Sequence, residues 1–119
     1  MLNQSFEIAK SLLGKTVEVT IDRPLGSKHP KHDFVYEVNY GYIEGVKAPD
    51  GDDLDAYYLG STEPIRKASG KCIAIVHRKD DDDDKLIVVA DGIEMNAEEI
   101  TNQIHFQEQW FDSTIIMHQ

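Results

Sequence analysis

The stretch KCIAIVHRKDDDDDKLIVVA, residues 71–90, divides two apolar runs with five consecutive aspartates. Each run is rich in β-branched residues and too short for a stable helix, so the pattern predicts strands over 71–78 and 85–90. The acid run between them cannot enter a core and reads as the solvated tip of a hairpin. Working outward, KTVEVTID (15–22) alternates polar and apolar residues, as a half-buried strand does. FVYEV (34–38), YGYIEGV (40–46) and DAYYLG (55–60) are aromatic and β-branched and are expected to be strands too. RPLGS (23–27) has turn chemistry, and SKHPKHD (27–33) is a polar loop containing Pro30. Two helices remain. One spans about Asn3 to Leu13, with Asn3 or Ser5 as cap and Gly14 as stop. The other starts in MNAEE (95–99), where Asn96 and Glu99 make a capping box, and runs to about Trp110 or Phe111. STIIM (113–117) is a short final strand or tail. Several short strands followed by one helix imply a mainly β domain over 1–119, a small barrel or strongly bent sheet with a covering helix.

Bulk composition narrows the function classes. A chain of 119 residues with a formal net charge of −10 lacks the basic footprint that nucleic acid or an anionic membrane requires. Any phosphate ligand must therefore arrive with cations. The single Cys72 excludes an internal disulfide framework and fits a reducing compartment. With no leader-like start and no apolar run long enough to span a bilayer, the expected location is the cytoplasm.

The second acid cluster lies in APDGDDLDAYYLG (48–60), with Asp50, Asp52, Asp53 and Asp55. Gly51 permits a tight turn that brings neighbouring carboxylates together. Converging carboxylates repel one another unless a hard cation lies among them, and their oxygens suit Mg²⁺ or Mn²⁺. The calcium-loop template fails, because Asp55 stands where Gly is required and Ser61 where Glu is required. Taken alone, the loop is an ordinary solvated turn. Two acid clusters, each beside a strand, together make a candidate site for more than one metal. His29 and His32 have zinc-ligand spacing, but no cysteine pair or second histidine motif accompanies them. No nucleophile elbow, Walker loop or dinucleotide fingerprint occurs. In VYEVNYGYIEG (35–45), the tyrosines are either packed barrel residues or hydroxyls offered to phosphate, with Asn39 and Gly41 marking a bend or bulge.

In order, VYEVNYGYIEG, APDGDDLDAY and an acidic hairpin ending in DDKL resemble the family I soluble inorganic pyrophosphatases. Their signature runs Y-P-x-N-Y-G-Y, then D-G-D-P-x-D, then an acidic segment leading to a K-L strand. The resemblance covers about residues 15–110 and implies an OB-like five-stranded barrel with flanking helices. It implies Mg²⁺-dependent hydrolysis of pyrophosphate, and it leaves room for a homo-oligomer. Carried over by position, Asp50, Asp55 and Asp83 would hold the tighter metal, and Asp80 would serve a second, with Asp81 beside it. Asp52 would be the catalytic carboxylate that takes the proton of the attacking water. Tyr40 and Tyr36 would approach the phosphate, and Lys85 would steady the acidic segment. Lys28 is the positional counterpart of the family's phosphate-binding Arg, with Arg23, His29 and Lys31 as rivals.

The chain also departs from the signature. Asp53 replaces its second Pro, the acidic hairpin is shortened, and an early Glu and Lys-x-Glu element has no counterpart. Trp110-Phe111 stands where the family carries a Tyr-Lys pair, which removes two phosphate contacts. Three readings follow: a pyrophosphatase of reduced activity, a hydrolase of another phosphoanhydride such as a nucleotide, or a non-catalytic barrel that binds metal–phosphate ligands or a protein.

Overall fold

Two-sided burial of the 85–90 run sets the architecture. The computed structural model describes residues 4–79 and 83–118. In it the run forms β5 (Lys85–Val89), buried at every position. Alternate side chains enter two different cores: Leu86 and Val88 join one cluster, Ile87 and Val89 the other. A strand covered on both faces has no polar side to show, which explains its unbroken apolar sequence.

Around it stand β1 (Thr16–Arg23), β2 (Asn39–Lys47), β3 (Asp53–Leu59) and the long β4 (Lys67–Arg78). The pairings β1–β2, β2–β3, β3–β5, β5–β4 and β4–β1 close a barrel of five strands. All are antiparallel except β3–β5, which is parallel from Ala56↔Leu86 to Leu59↔Val89. β4 has residues enough for three partners. Its first half pairs with β1, its middle with β5, and its end with the additional strand β6 (Ser113–Met117).

One core cluster draws on all five barrel strands, including Val19, Ile43, Leu54, Ile75 and Leu86, and fills the lumen. Ala9 of α1 (Gln4–Leu12) packs into the same cluster. The second lies between the outer barrel face and α2 (Ala97–Glu108), where Ile100, Ile104 and Phe106 meet Tyr57, Leu59 and Val76. A register shift between Cys72 and Ala74 moves the lumen side of β4 from even to odd numbers, so that Cys72 and Ile75 share one core.

Several sequence expectations meet their physical limits here. The hairpin of 71–78 with 85–90 forms, although Asp80, Asp81 and Asp82 at its tip lie outside the described residues. Asn96 caps α2 in a reciprocal box with Glu99, and the helix ends before Trp110 and Phe111. Asn3 lies outside the described residues. Ser5 is not a cap: it is buried inside α1, where its hydroxyl accepts the Asp84 N–H at 2.9 Å. FVYEV (34–38) does not form a barrel strand. Its backbone finds only a short ladder to the preceding loop, with Tyr36 N–H donating to Ser27 O and Gly26 N–H to Tyr36 O, both at 2.8 Å. Its aromatic rings are buried by side-chain packing rather than by sheet pairing.

Asn39, fully buried at the start of β2, ties down two loops. Its Oδ1 accepts from Leu25 N–H (2.9 Å) and Ile65 N–H (3.2 Å), and its Nδ2 donates to Glu63 O (3.0 Å). Two residues on, Gly41 lets β1 and β2 approach closely: a Cβ there would stand 1.8 Å from the Thr20 carbonyl oxygen. Gly41→Ala is therefore expected to cost more than about 2 kcal/mol, or to abolish soluble folding, because backbone must move. Urea unfolding measures it. Cys72 supplies a pH test. Burial pushes its thiol from the ordinary 9.0 up to about 11. The stability this contributes is complete below pH 9.0 and is lost as pH rises through about 11, since only the unfolded thiol ionises between them. Relative to Cys72→Ala, the wild type should lose stability across that window, and the native thiol should resist iodoacetamide until the chain unfolds.

Candidate active site

The outward face of the barrel beside the end of α2 carries a cleft of about 1040 Å³. β1 brings Asp22 and Arg23 to it, β2 brings Tyr40, β3 brings Asp55 and β4 brings Arg78. The 29–36 loop supplies His29, Phe34 and Tyr36. Asp83 enters from the β4–β5 connection, Lys85 from the start of β5, and Trp110 and Phe111 from just beyond α2. In β1 the apolar residues Val17, Val19 and Ile21 turn into the lumen, so the alternating Asp22 falls on the cleft side.

At the acid end, the Lys85 ammonium bridges two carboxylates, Asp55 at 2.9 Å and Asp83 at 3.3 Å. Its side chain is 3 % exposed, so this is a desolvated charge that needs both partners. The ammonium also lies 5.6 Å from the centre of the Tyr40 ring. Burial, reinforced by the nearby Asp55 charge, holds the Tyr40 hydroxyl far above its ordinary pKa, so it remains a proton donor. Burial also raises Asp22, with Arg23 working against it. At the loop, burial lowers His29, and its Nδ1 accepts the N–H groups of Lys31 (3.0 Å) and His32 (3.1 Å). These bonds assign the proton of the neutral ring to Nε2.

Behind the acids runs a buried network absent from the sequence expectations. Arg78 donates through Nε and Nη2 to the two oxygens of Glu108 (3.1 and 2.9 Å) and through Nη1 to Asp83 (3.3 Å). Tyr57 donates to Glu108 at 2.5 Å and accepts from Gln107 at 2.7 Å. Burial opposes the Arg78 charge, but the hydrogen bonds and charge of Glu108 outweigh it and hold the guanidinium above its ordinary pKa. Asp84, next to Asp83, turns inward: its carboxylate meets His77 Nδ1 at 2.8 Å and the Arg78 N–H at 2.9 Å. Of this neighbouring pair, Asp83 is the one that reaches the cleft.

The sequence-nominated residues thus divide. Tyr36, Tyr40, Arg23, Lys85, Asp55 and Asp83 converge on the cleft. Asp50 and Asp52 stand on the exposed turn before β3, outside the cleft lining; there Asp50 accepts the Asp52 N–H at 3.0 Å. Asp53 begins β3 and pairs with Lys47 at 2.7 Å. Lys28 is on the exposed loop beside Asp33, also outside the lining. Asp80 lies outside the described residues. Among the described residues, no three His, Cys, Asp or Glu side chains converge on one point. The donors facing the acid end of the cleft are nevertheless hard carboxylate oxygens, and an ammonium already occupies the favourable position between two of them. Their chemistry fits a hard divalent cation.

Sequence reading missed Asp22, Arg78 and Glu108. The available signal was an Arg closing an apolar strand just before an acid run. Glu108→Ala should strand the buried guanidinium and cost about 3–5 kcal/mol in urea unfolding. The double replacement Arg78→Met with Glu108→Leu should recover most of that loss.

Comparison with known proteins bears on the fold and the family. Three similar solved structures are inorganic pyrophosphatases. That from Ehrlichia chaffeensis has a TM-score of 0.69 at 17% identity, covering 89% of this chain and 88% of that one. That from Coxiella burnetii has 0.64 at 17%, covering 84% and 83%. That from Thermus thermophilus has 0.61 at 22%, covering 87% and 83%. At these identities the likeness establishes the fold. No curated protein matches the chain. The inorganic pyrophosphatase family itself matches residues 3–116, nearly the whole chain. This chain therefore belongs to the inorganic pyrophosphatase family, and its enzyme class is that of the inorganic diphosphatases.

Proposed function

We propose that the protein hydrolyses inorganic pyrophosphate to two phosphates with Mg²⁺ as cofactor, Mn²⁺ being the alternative. The observation that carries this reading is the pair Asp55 and Asp83, bridged by the Lys85 ammonium in a cleft that also presents Tyr36, Tyr40 and Arg23. A protein of net charge −10 accepts so anionic a substrate only together with cations. Asp55 and Asp83, with Asp50, would hold the tighter ion, and Asp80 would serve a second. When bound, such ions supply positive charge against the phosphate oxygens and acidify the attacking water.

The chain's own residues do the rest. By its position in the family signature Asp52 would accept the proton of the water as its oxygen bonds to phosphorus and the bond to the bridging oxygen breaks, which requires the 50–52 turn to come to the cleft when substrate binds. Lys85 donates to both Asp55 and Asp83 and offsets the repulsion between them. Tyr40, kept protonated by burial, donates to a phosphate oxygen, and Tyr36 and Arg23 meet the remaining charge, to which Lys28 would add only if its exposed loop came over the cleft. The lone thiol of Cys72 is buried and unpaired with another cysteine, which supports a cytoplasmic setting. Among the described residues no helix is long and apolar enough to cross a membrane.

Phosphate release from pyrophosphate, with and without Mg²⁺, tests the reading. Turnover should require the metal, and Asp52→Asn should lower kcat by about 10²–10⁴-fold. Saturating Mg²⁺ should also raise the melting temperature, as a ligand of the native state does. Absence of Mg²⁺-dependent turnover would overturn the enzyme reading, and a thermal gain alone would point to a metal-binding barrel.

A further inference from the structure

Pyrophosphate presents only oxygen, yet one side of this cleft is lined with aromatic rings. From Tyr40, beside Lys85 at the acid end, rings follow one another outward. Tyr36 stacks on Tyr40 at 5.5 Å and 22°, and His29 stacks on Tyr36 at 5.8 Å and 13°. Phe34 lies against His29 at 4.8 Å, and His32 is nearly parallel to Phe34 at 8°. The series ends at Trp110, 5.5 Å from Phe34 and 61% exposed. Next to it, the Phe111 face is already taken by the Arg78 guanidinium at 3.6 Å. Trp110 packs against Phe34 and His32, lines the cleft and is otherwise largely exposed.

A wholly anionic diphosphate can use the Tyr40 and Tyr36 hydroxyls at the inner end but gains nothing from the outer rings of Phe34 and Trp110, and a cleft of about 1040 Å³ leaves room beyond it. A planar heteroaromatic group attached to a phosphate chain matches both ends, because every base has a face that stacks on an aromatic side chain. We propose that the cleft takes a nucleoside polyphosphate, with its terminal anhydride at the Asp55–Lys85 end and its base stacked on Trp110. This rests on the phosphoanhydride chemistry proposed above. The step balances without a further reactant. Water oxygen bonds to the terminal phosphorus, and the bond from that phosphorus to the bridging oxygen breaks. The electron pair leaves with the nucleoside diphosphate, and the water proton passes through a carboxylate to solvent.

Trp110 is the only tryptophan, so its emission reports the site directly. Titration of the full chain in Mg²⁺ with the β,γ-imido analogue of ATP should quench it saturably, whereas inorganic tripolyphosphate should not. The ratio of kcat/KM for ATP to that for pyrophosphate should fall about tenfold in Trp110→Ala, and Trp110→Phe should retain most of it. Should the Ala variant fail to fold, Trp110→Leu serves in its place. Equal quenching by both probes, or an unchanged ratio, overturns the proposal. So does emission that follows protein concentration and ignores nucleotide, since the ring would then cover a second copy. Turnover of pyrophosphate with none of ATP overturns the nucleotide activity alone and leaves the diphosphatase reading standing. Turnover of neither overturns the diphosphatase reading, and the titration then decides the base site by itself.

Discussion

The ion pair between Arg78 and Glu108 joins the barrel to its covering helix and the fold to its cleft. Both side chains are 5 % exposed, so each charge depends on the other for its solvation. Glu108 is the last residue of α2, and Arg78 the last of β4. Their bond fixes how the helix end meets the sheet edge, and Tyr57 and Gln107 complete its hydrogen bonding. Apolar packing of Ile100, Ile104 and Phe106 could press α2 onto the barrel in more than one register. The buried charges favour this one, because another register would part Glu108 from the guanidinium that pairs with it.

The same guanidinium reaches Asp83, and through Asp83 the Lys85 ammonium and Asp55. Carboxylates and cations alternate along this line from the helix to the open cleft. Such alternation lets an acidic protein hold several carboxylates close together, each repulsion being offset by an interleaved positive charge. Asp84 lies off this line. Its carboxylate is consumed by His77 and a backbone N–H, and its own N–H reaches Ser5 of α1. Adjacent aspartates in one run therefore do unlike work, one anchoring the N-terminal helix and the other facing the cleft.

Two positions near NYGY show how the barrel constrains its sequence. Asn39 and Gly41 together are expected from sequence to mark a bend or bulge. Asn39 instead serves as a buried bracket for two loops, with all its polar capacity directed at backbone. Gly41 pairs with Ala56 and Ile21, beside a register shift in β1 between Ile21 and Arg23 that fits the expected bulge, and the neighbouring strand passes so close that no side chain fits. The FVYEV segment was misread for a related reason. Its residues have strand propensity, but both edges of β2 are already taken by β1 and β3, so its backbone pairs only locally and its rings pack over the cleft.

Periodicity and punctuation determined much of this protein without its fold. The hairpin of β4 and β5, the alternation of β1, the Asn96 capping box and the Gly14 stop are all local, since period and backbone freedom depend only on neighbouring residues. The order NYGY, DGD and DDKL was enough to suggest the family. Tertiary structure alone decided which acids share a site. Asp22, Asp55 and Asp83 come from three segments, and only the closure of the barrel brings them together. It also decided that Arg78 would be buried, because its partner Glu108 lies thirty positions away along the chain. Long-range charge pairing leaves no period in a sequence, and that is why the network behind the cleft was invisible until the chain closed on itself.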